Sequence, residues 1–294
     1  MSVKYAFIKG EEGNFSVRNM CRWSRVSTSG YYDWKSRAPS ATAAWRAELG
    51  EVIAYLFADS EDTYGYRRIH AALARVGRHA DPHTVRSIMA ERGLVAAQPR
   101  GRGPRTTISS DAGTIPDLVR RDFTATEPGT KLVGDITYIR TWAGWVYLAT
   151  VLDCATKKAV GYAMAEHMRT ELIIEALDMA VRNGRTRAGV TIFHSDRGTQ
   201  YTSDDFATYT KTHEITRSVG RTGICYDNAW AESFNATLKN ERVHRTVYAT
   251  RERAIADITR WIELRYNHKR LHSALGYRTP DEVENEWYAT QQAA

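Results

Sequence analysis

Apolar positions recur along this chain in two rhythms, and the change between them falls near residue 125. Before it the spacing is three to four residues, which predicts helices. Residues 16–37 read as two short helices around a turn, with Ser27 or Thr28 capping the second and Trp23, Tyr31, Tyr32 and Trp34 packing a very small core. Residues 41–58 predict a longer helix. A second helical pair follows. Ile69, Leu73 and Val76 mark its first member, which Gly77 stops. Asp81 as N-cap and Pro82 at the first helical position open the second member, whose apolar stripe is Val85, Ile88 and Met89 and whose end is Gly93. Two short helices in this order suit a helix-turn-helix, with His83, Thr84 and Arg86 near the start of its second helix, where base contacts are made. A purely structural helical hairpin fits the same pattern. Residues 97–115 are rich in Pro, Gly, Arg, Ser and Thr and read as a linker whose arginines can touch phosphates.

Beyond residue 125 the alternation shortens to two. "LVGDITYIR", "GWVYLATVLD" and "KAVGYAMAE" predict three strands, the last two joined by a hairpin at "CATK". "TELIIEALDMAVRNG" is an amphipathic helix ending at Gly184, "GVTIFHSD" a fourth strand, "SDDFATYTKTHE" a helix and "ITRSV" a short fifth strand. Two more helices follow, one from Asn228 and a long one over "TRERAIADITRWIELRYN". The fold class is α/β, a mixed five-stranded sheet flanked by helices and preceded by small all-α modules. The expected boundaries are an N-terminal helical module at 1–57, a helix-turn-helix-like module at 58–96, a basic linker at 97–124, an α/β core at 125–285 and a tail at 286–294.

Charge sharpens this division. The 294 residues carry a net charge of +7, and residues 1–110 hold 17 basic and 10 acidic side chains, so the whole excess is N-terminal. That points to a polyanion bound by the first third of the chain. No apolar run is long enough for a membrane span, and the N-terminus lacks the apolar stretch of a secretion signal. Cys21, Cys154 and Cys225 are far apart and form no CxxC pair, which suggests neither a disulfide framework nor a thiolate zinc site and suits a reducing cytoplasm.

The helix from Asn228 carries a polar stripe. At about 100° per residue, Asn228, Glu232, Asn235 and Lys239 share one face, and Trp230, Phe234 and Leu238 take the other. Asp135 sits inside the first strand, where an aspartate is costly unless something pairs with it. Asp196 follows the fourth strand. Converging at one sheet edge, Asp135, Asp196 and Glu232 would form an oxygen-rich site for hard divalent cations, with Lys239 reaching a phosphate and Asn228 and Asn235 orienting Glu232 or the nucleic-acid backbone. Singly, each residue also has a bland reading as a turn, a cap or a solvated helix face.

Taken together, "GDITYI", "HSDRGTQYTS" and "DNAWAESFNATLKNE" resemble the DDE motifs of retroviral-integrase-type bacterial transposases, and more narrowly the OrfB product of the IS-three family of insertion sequences. Thirty-five residues lie between Asp196 and Glu232, and Lys239 supplies the basic residue seven places after the glutamate. "MCRWSRVSTSGYYDW", "YGYRRIHAAL" and "NHKRLHSALGYRTPDEVE" extend the resemblance over nearly the whole chain. It departs at Leu132, where the family often has Trp. The resemblance implies an RNase H-like core in which Asp135, Asp196 and Glu232 are the catalytic, metal-binding residues for two Mg²⁺ ions, with Mn²⁺ able to substitute. It implies cleavage of DNA at the element's ends, freeing a 3′-OH that then attacks target DNA. It also implies a homo-oligomer on DNA, a bacterial, nucleoid-associated location, and a partner in the upstream-frame OrfA product as a frameshift fusion. The chain has no heptad run of its own for the leucine zipper of that upstream part.

Other residues carry weaker signals. Gln200 and Tyr201 follow Asp196 in an expected loop and are candidate DNA contacts. His194 would share a strand face with Asp196, as a buried structural residue or a DNA contact. Asp153 reads as a hairpin cap. His268 and His272 lie four apart without a third zinc ligand nearby. The stretch 219–227, with Gly220 and Gly223, reads as a loop whose order depends on DNA or metal. Two other functions stay open on the sequence: a non-catalytic DNA-binding regulator that kept the fold, and a hydrolytic RNase H-type nuclease that never joins ends.

Overall fold

The computed structural model describes residues 2–97, 115–220 and 228–293. Its first three helices, α1 (Ser2–Gly10), α2 (Val17–Trp23) and α3 (Thr28–Ser36), surround a small core of Tyr5, Ile8, Met20, Cys21 and Tyr31. α1 has no counterpart in the sequence reading, because its buried side is only Tyr5 and Ile8, too short a stripe to register as periodic. The aromatic core expected here is corrected by burial. Tyr31 is enclosed and Trp34 packs against it, but Trp23 is 62% and Tyr32 51% exposed. Ser27 caps α3 by accepting from Gly30 N.

α4 (Ala41–Asp59), α5 (Tyr66–Arg75) and α6 (Pro82–Glu91) share one core, in which Leu49, Ile53 and Phe57 meet Ile69, Leu73, Val85 and Ile88. α4 therefore packs with the helix-turn-helix pair, and the expected division after residue 57 falls inside its last turn. The end signals act as read. Asp81 accepts from His83 N at 2.7 Å, Pro82 opens α6, and Gly77 and Gly93 take positive φ after α5 and α6.

The core sheet has the order β3-β2-β1-β4-β5. β1 (Lys131–Thr141), β2 (Gly144–Asp153) and β3 (Ala159–Ala165) are antiparallel, while β4 (Ile192–Ser195) and β5 (Thr216–Val219) run parallel to β1. α7 (Thr170–Arg182) covers one face, setting Leu172, Ile173 and Leu177 on Leu132 and Val151. After β4 come α8 (Thr199–Thr202) and α9 (Asp204–Thr212). α10 (Ala229–Glu241) and α11 (Arg251–Arg260), the latter continued by a π-helical stretch over Trp261–Asn267, cover the other face. Phe234, Leu238, Ile258 and Trp261 pack there on Val133, Ile139, Val146 and Leu148. Leu132 is fully buried between the two neighbouring strands, a packing position.

Two expected boundaries shift. Residues 115–124 belong to the core: Leu118 N donates to Ser218 Oγ, Val219 N to Pro116 O, and Val119 is buried. The rest of the expected linker, residues 98–114 with their arginines, lies outside the described residues. The expected tail is helical and attached. In α12 (Pro280–Ala293), Trp287 lies under Arg187 and Tyr288 under Arg185, two cation–π contacts that hold residues 286–288 on the core.

Candidate active site

Gly134 and Asp135 show how the sheet makes room for a partly buried acid. A Cβ on Gly134 would lie 2.3 Å from Phe193 Cζ, so only glycine lets that ring pass under β1. Asp135 Oδ1 accepts from Ile136 N at 2.9 Å, and Oδ2 accepts from Asn235 Nδ2 at 2.8 Å. The parallel register sets Val133 beside His194. Asp196 follows one residue after the end of β4, where its charge acts on Asp135. Asp196 Oδ1 accepts from Gly198 N at 2.9 Å.

The two acids destabilise each other. Burial, then the charge of Asp196 and that of Glu232, pushes the Asp135 carboxyl up to about 7 against two opposing hydrogen bonds. Burial also raises Asp196, opposed by Gly198 N–H and by His194. Glu232 is exposed in the first turn of α10, and its charge reaches Asp135. Lys239, two turns on, is half-buried, with Nζ 4.7 Å from the centre of the Tyr138 ring. Burial lowers its pKa, and the charge of Asp135 opposes that.

The other sequence candidates divide. Asn228 and Asn235 are buried, and both hold β1: Asn228 Nδ2 donates to Gly134 O at 3.0 Å, and Asn235 binds Asp135. This corrects their expected place beside Glu232 or the nucleic-acid backbone. The polar stripe exists because α10 crosses the strand of the first aspartate, and the amides satisfy that strand. Tyr201 is corrected more sharply. It lies in α8 rather than a loop, only 3% exposed, with its ring against Phe193 and Phe206, so it is a core residue and no DNA contact. Gln200 is in the same helix and donates to Met168 O at 2.9 Å. His194 is fully buried, with Nδ1 2.8 Å from Ser218 Oγ. Asp153 caps the hairpin, accepting from Gly129 N, Ala155 N and Thr156 N. His268 meets Asp281 at 3.1 Å, while His272 is buried against Tyr266.

In the helix-turn-helix unit, His83 and Arg86 are exposed at the start of α6 and Thr84 is partly so. The Arg86 guanidinium lies 5.9 Å from the Tyr66 ring. Residues 221–227 of the expected loop lie outside the described residues. The link missed at the sequence level is Asn235 to Asp135. Its signal was present, in two asparagines seven apart on a helix whose opposite side is apolar.

Comparison with known proteins now bears on this geometry. A model described as "Integrase core domain" matches residues 125–225, a second with that description matches 213–280, and an "HTH-like domain" matches 44–102. The chain is 36% identical over 285 residues to transposase InsF for insertion sequence IS3A of Escherichia coli (strain K12), covering 96% of this chain and 99% of that protein. It is 38% identical over 261 residues to the insertion element IS600 uncharacterized 31 kDa protein of Shigella sonnei, covering 89% and 96%. Among solved structures, the HTLV-2 integrase catalytic core domain in complex with magnesium aligns with a TM-score of 0.41 at 15% identity, covering 53% of this chain and 97% of that one. The chain belongs to the transposases of the IS3 family of insertion sequences, with an integrase-type core behind a helix-turn-helix-like module.

Proposed function

We propose that Asp135, Asp196 and Glu232 are the acids with which this transposase cuts DNA at the ends of its element and joins the freed 3′-OH to target DNA. The observation that carries the reading is the Asn235–Asp135 hydrogen bond of 2.8 Å. It ties the helix bearing Glu232 to the strand bearing the first aspartate, beside the strand that Asp196 follows.

The donor set suits Mg²⁺ or Mn²⁺, since all three side chains offer hard oxygens. Asp135 and Asp196 are a desolvated pair that resists carrying two negative charges, the condition a divalent cation relieves. Among the described residues no group of three His, Cys, Asp or Glu side chains is already set to hold an ion, and Glu232, exposed in the first turn of α10, would be the third donor beside the pair. Two bound ions would help ionise the attacking oxygen and stabilise the leaving one. The chain's own groups do the rest. Asn235 fixes one Asp135 oxygen, Gly198 N–H fixes one Asp196 oxygen, and Lys239 offers a point charge to a phosphate. α6 presents His83, Thr84 and Arg86 to the DNA, with Gln200 at the edge of the core. Joining two ends requires at least two copies on DNA, and the upstream-frame product is the expected fusion partner.

The test uses a supercoiled plasmid carrying candidate element ends with Mg²⁺ or Mn²⁺. The intact chain, alone or fused to its upstream frame, is expected to nick and join, and Asp196→Asn to bind DNA without doing either. Nicking with no joined product would identify a hydrolytic nuclease instead. Equal inertness of both proteins in the fused form, with DNA binding intact, would identify a regulator.

A further inference from the structure

The β1–β2 hairpin carries exposed aromatic surface that the chemistry above does not use. β1 runs eleven residues, but β4 pairs only with Lys131, Leu132 and Val133. Beyond Val133 the hairpin therefore has no paired neighbour on the β4 side among the described residues, while on the β3 side Gly144, Trp145 and Val146 extend past the last pair, Tyr147 with Ala165. On its open face Tyr138 is 51% and Trp145 45% exposed, with ring centroids 5.2 Å apart at 90°. Arg140, paired with Trp145 in the register, is exposed beside them, and Trp142 at the turn is 79% exposed. Large aromatic side chains left in water together mark a binding surface.

Charge and position say what binds. The strand pleat sends Tyr138 to the face opposite Asp135. Lys239 spans the two, with its ammonium against the Tyr138 ring and its charge coupled to Asp135. A phosphate held by Lys239 at the reaction centre would place the next nucleotide over Tyr138. The shelf joins aromatic faces to Lys239 and Arg140, the pairing that proteins use to hold unpaired nucleotides by stacking while cations track the backbone. We propose that Tyr138 and Trp145 form a stacking shelf for an unpaired base of the DNA end next to the cleaved phosphate. The shelf rests on the assignment of Asp135 to the reaction centre. It favours a frayed or single-stranded end over a fully paired one.

The experiment compares two labelled probes carrying an element end, one a blunt duplex and one with a short single-stranded extension containing 2-aminopurine. Affinity is read by anisotropy and stacking by 2-aminopurine quenching, for the full chain and for Tyr138→Ala, Trp145→Ala and Trp145→Phe. The full chain is expected to prefer the extended probe and to quench it. Each alanine variant is expected to lose about 5- to 100-fold in affinity for the extended probe alone, while Trp145→Phe keeps most of it. Equal affinity of the full chain for both probes, or equal losses on both in the alanine variants, overturns the shelf but leaves the active-site assignment standing. A change confined to sedimentation behaviour in the alanine variants also overturns it and marks the hairpin as a contact between copies. Failure to bind either probe overturns the DNA-binding reading as a whole. Because these side chains are exposed, unchanged thermal melting is expected and separates a lost contact from a lost fold.

Discussion

Arg270 grips Glu241 through a two-pronged ion pair, Nε to Oε2 at 2.9 Å and Nη2 to Oε1 at 2.8 Å, with both side chains buried. Glu241 is the last residue of α10, the helix that carries Glu232 in its first turn. Arg68 of α5 approaches the same carboxylate at 3.5 Å and donates to Leu271 O. Tyr64 donates to Lys269 O and accepts from Leu271 N. The helix-turn-helix unit is thereby fastened to the far end of α10. Removing one member of a buried pair strands the other charge. Arg270→Ala is expected to cost about 3–5 kcal/mol, and pairing Arg270→Met with Glu241→Leu is expected to recover much of that. Denaturant melts of the three proteins check this.

Asn235→Ala tests the tie between α10 and β1. The amide fixes one oxygen of Asp135, so its loss is expected to raise the metal concentration for half-maximal cleavage about 10- to 100-fold, the usual cost of losing a partner behind a metal ligand. DNA affinity measured without metal should not change. A fall in DNA affinity instead would mean that Asn235 touches the nucleic acid.

Asp135→Asn should separate stability from activity. The folded carboxyl sits at about 7, well above its ordinary value of 3.8. A raised carboxyl keeps its proton longer in the fold than in the unfolded chain. Its contribution to stability is full below about pH 4 and is lost as pH rises through 7. In chelator at pH 8, Asp135→Asn is expected to be more stable than the native chain by up to about 4 kcal/mol, with the gap closing near pH 4. It should be inactive at every pH. Melting both proteins across that range is the measurement.

Where an element depends on local chemistry, the sequence showed it. α6 announces itself through Asp81, Pro82 and Gly93, each acting on its own neighbourhood. The carboxylates were legible because an aspartate within the β1 pattern and a polar stripe along α10 both break local expectation. Partners across the chain were not legible. Asn235 reaches Asp135 over 100 positions, and Arg68 reaches Leu271 over 203, distances at which periodicity carries no information. Tyr201 was misread because "SDRGTQYTS" is polar by composition, whereas its one large ring turns inward onto Phe193. α1 and the attached part of α12 were missed for a related reason: both are anchored by a few aromatic or apolar contacts and not by a long stripe.

His272 predicts an acid-sensitive junction. Burial first, then the charges of Arg270, Arg68 and Lys157, pushes its imidazole down to about 2. Tyr266 packs its ring edge-on, and Arg270 Nη1 lies 3.5 Å from Nε2. The unfolded imidazole takes a proton below about pH 6.5 and the folded one does not, so acid favours unfolding from that point down. The native chain is expected to lose about 1.4 kcal/mol per pH unit between 6.5 and 4.5 relative to His272→Gln. Matching pH profiles for the two proteins would show that His272 is protonated in the fold.

Arg86 and His83 are expected to carry part of the affinity for element ends. Both are exposed at the start of α6, and the N-terminal third holds the whole charge excess. If Arg86 meets a phosphate, Arg86→Ala should weaken binding to all duplexes alike and reduce the slope of log affinity against log salt by about 0.9. If it meets a base edge, the loss should be about 1–3 kcal/mol on the element end and much smaller on unrelated DNA. For His83→Ala the comparison of element end with unrelated DNA is the readout. Salt titrations on matched and unrelated duplexes distinguish the two contacts. A variant with native affinity and slope on both duplexes would remove α6 from the DNA interface, and recognition of element ends would then have to lie elsewhere in the chain or in its fusion partner.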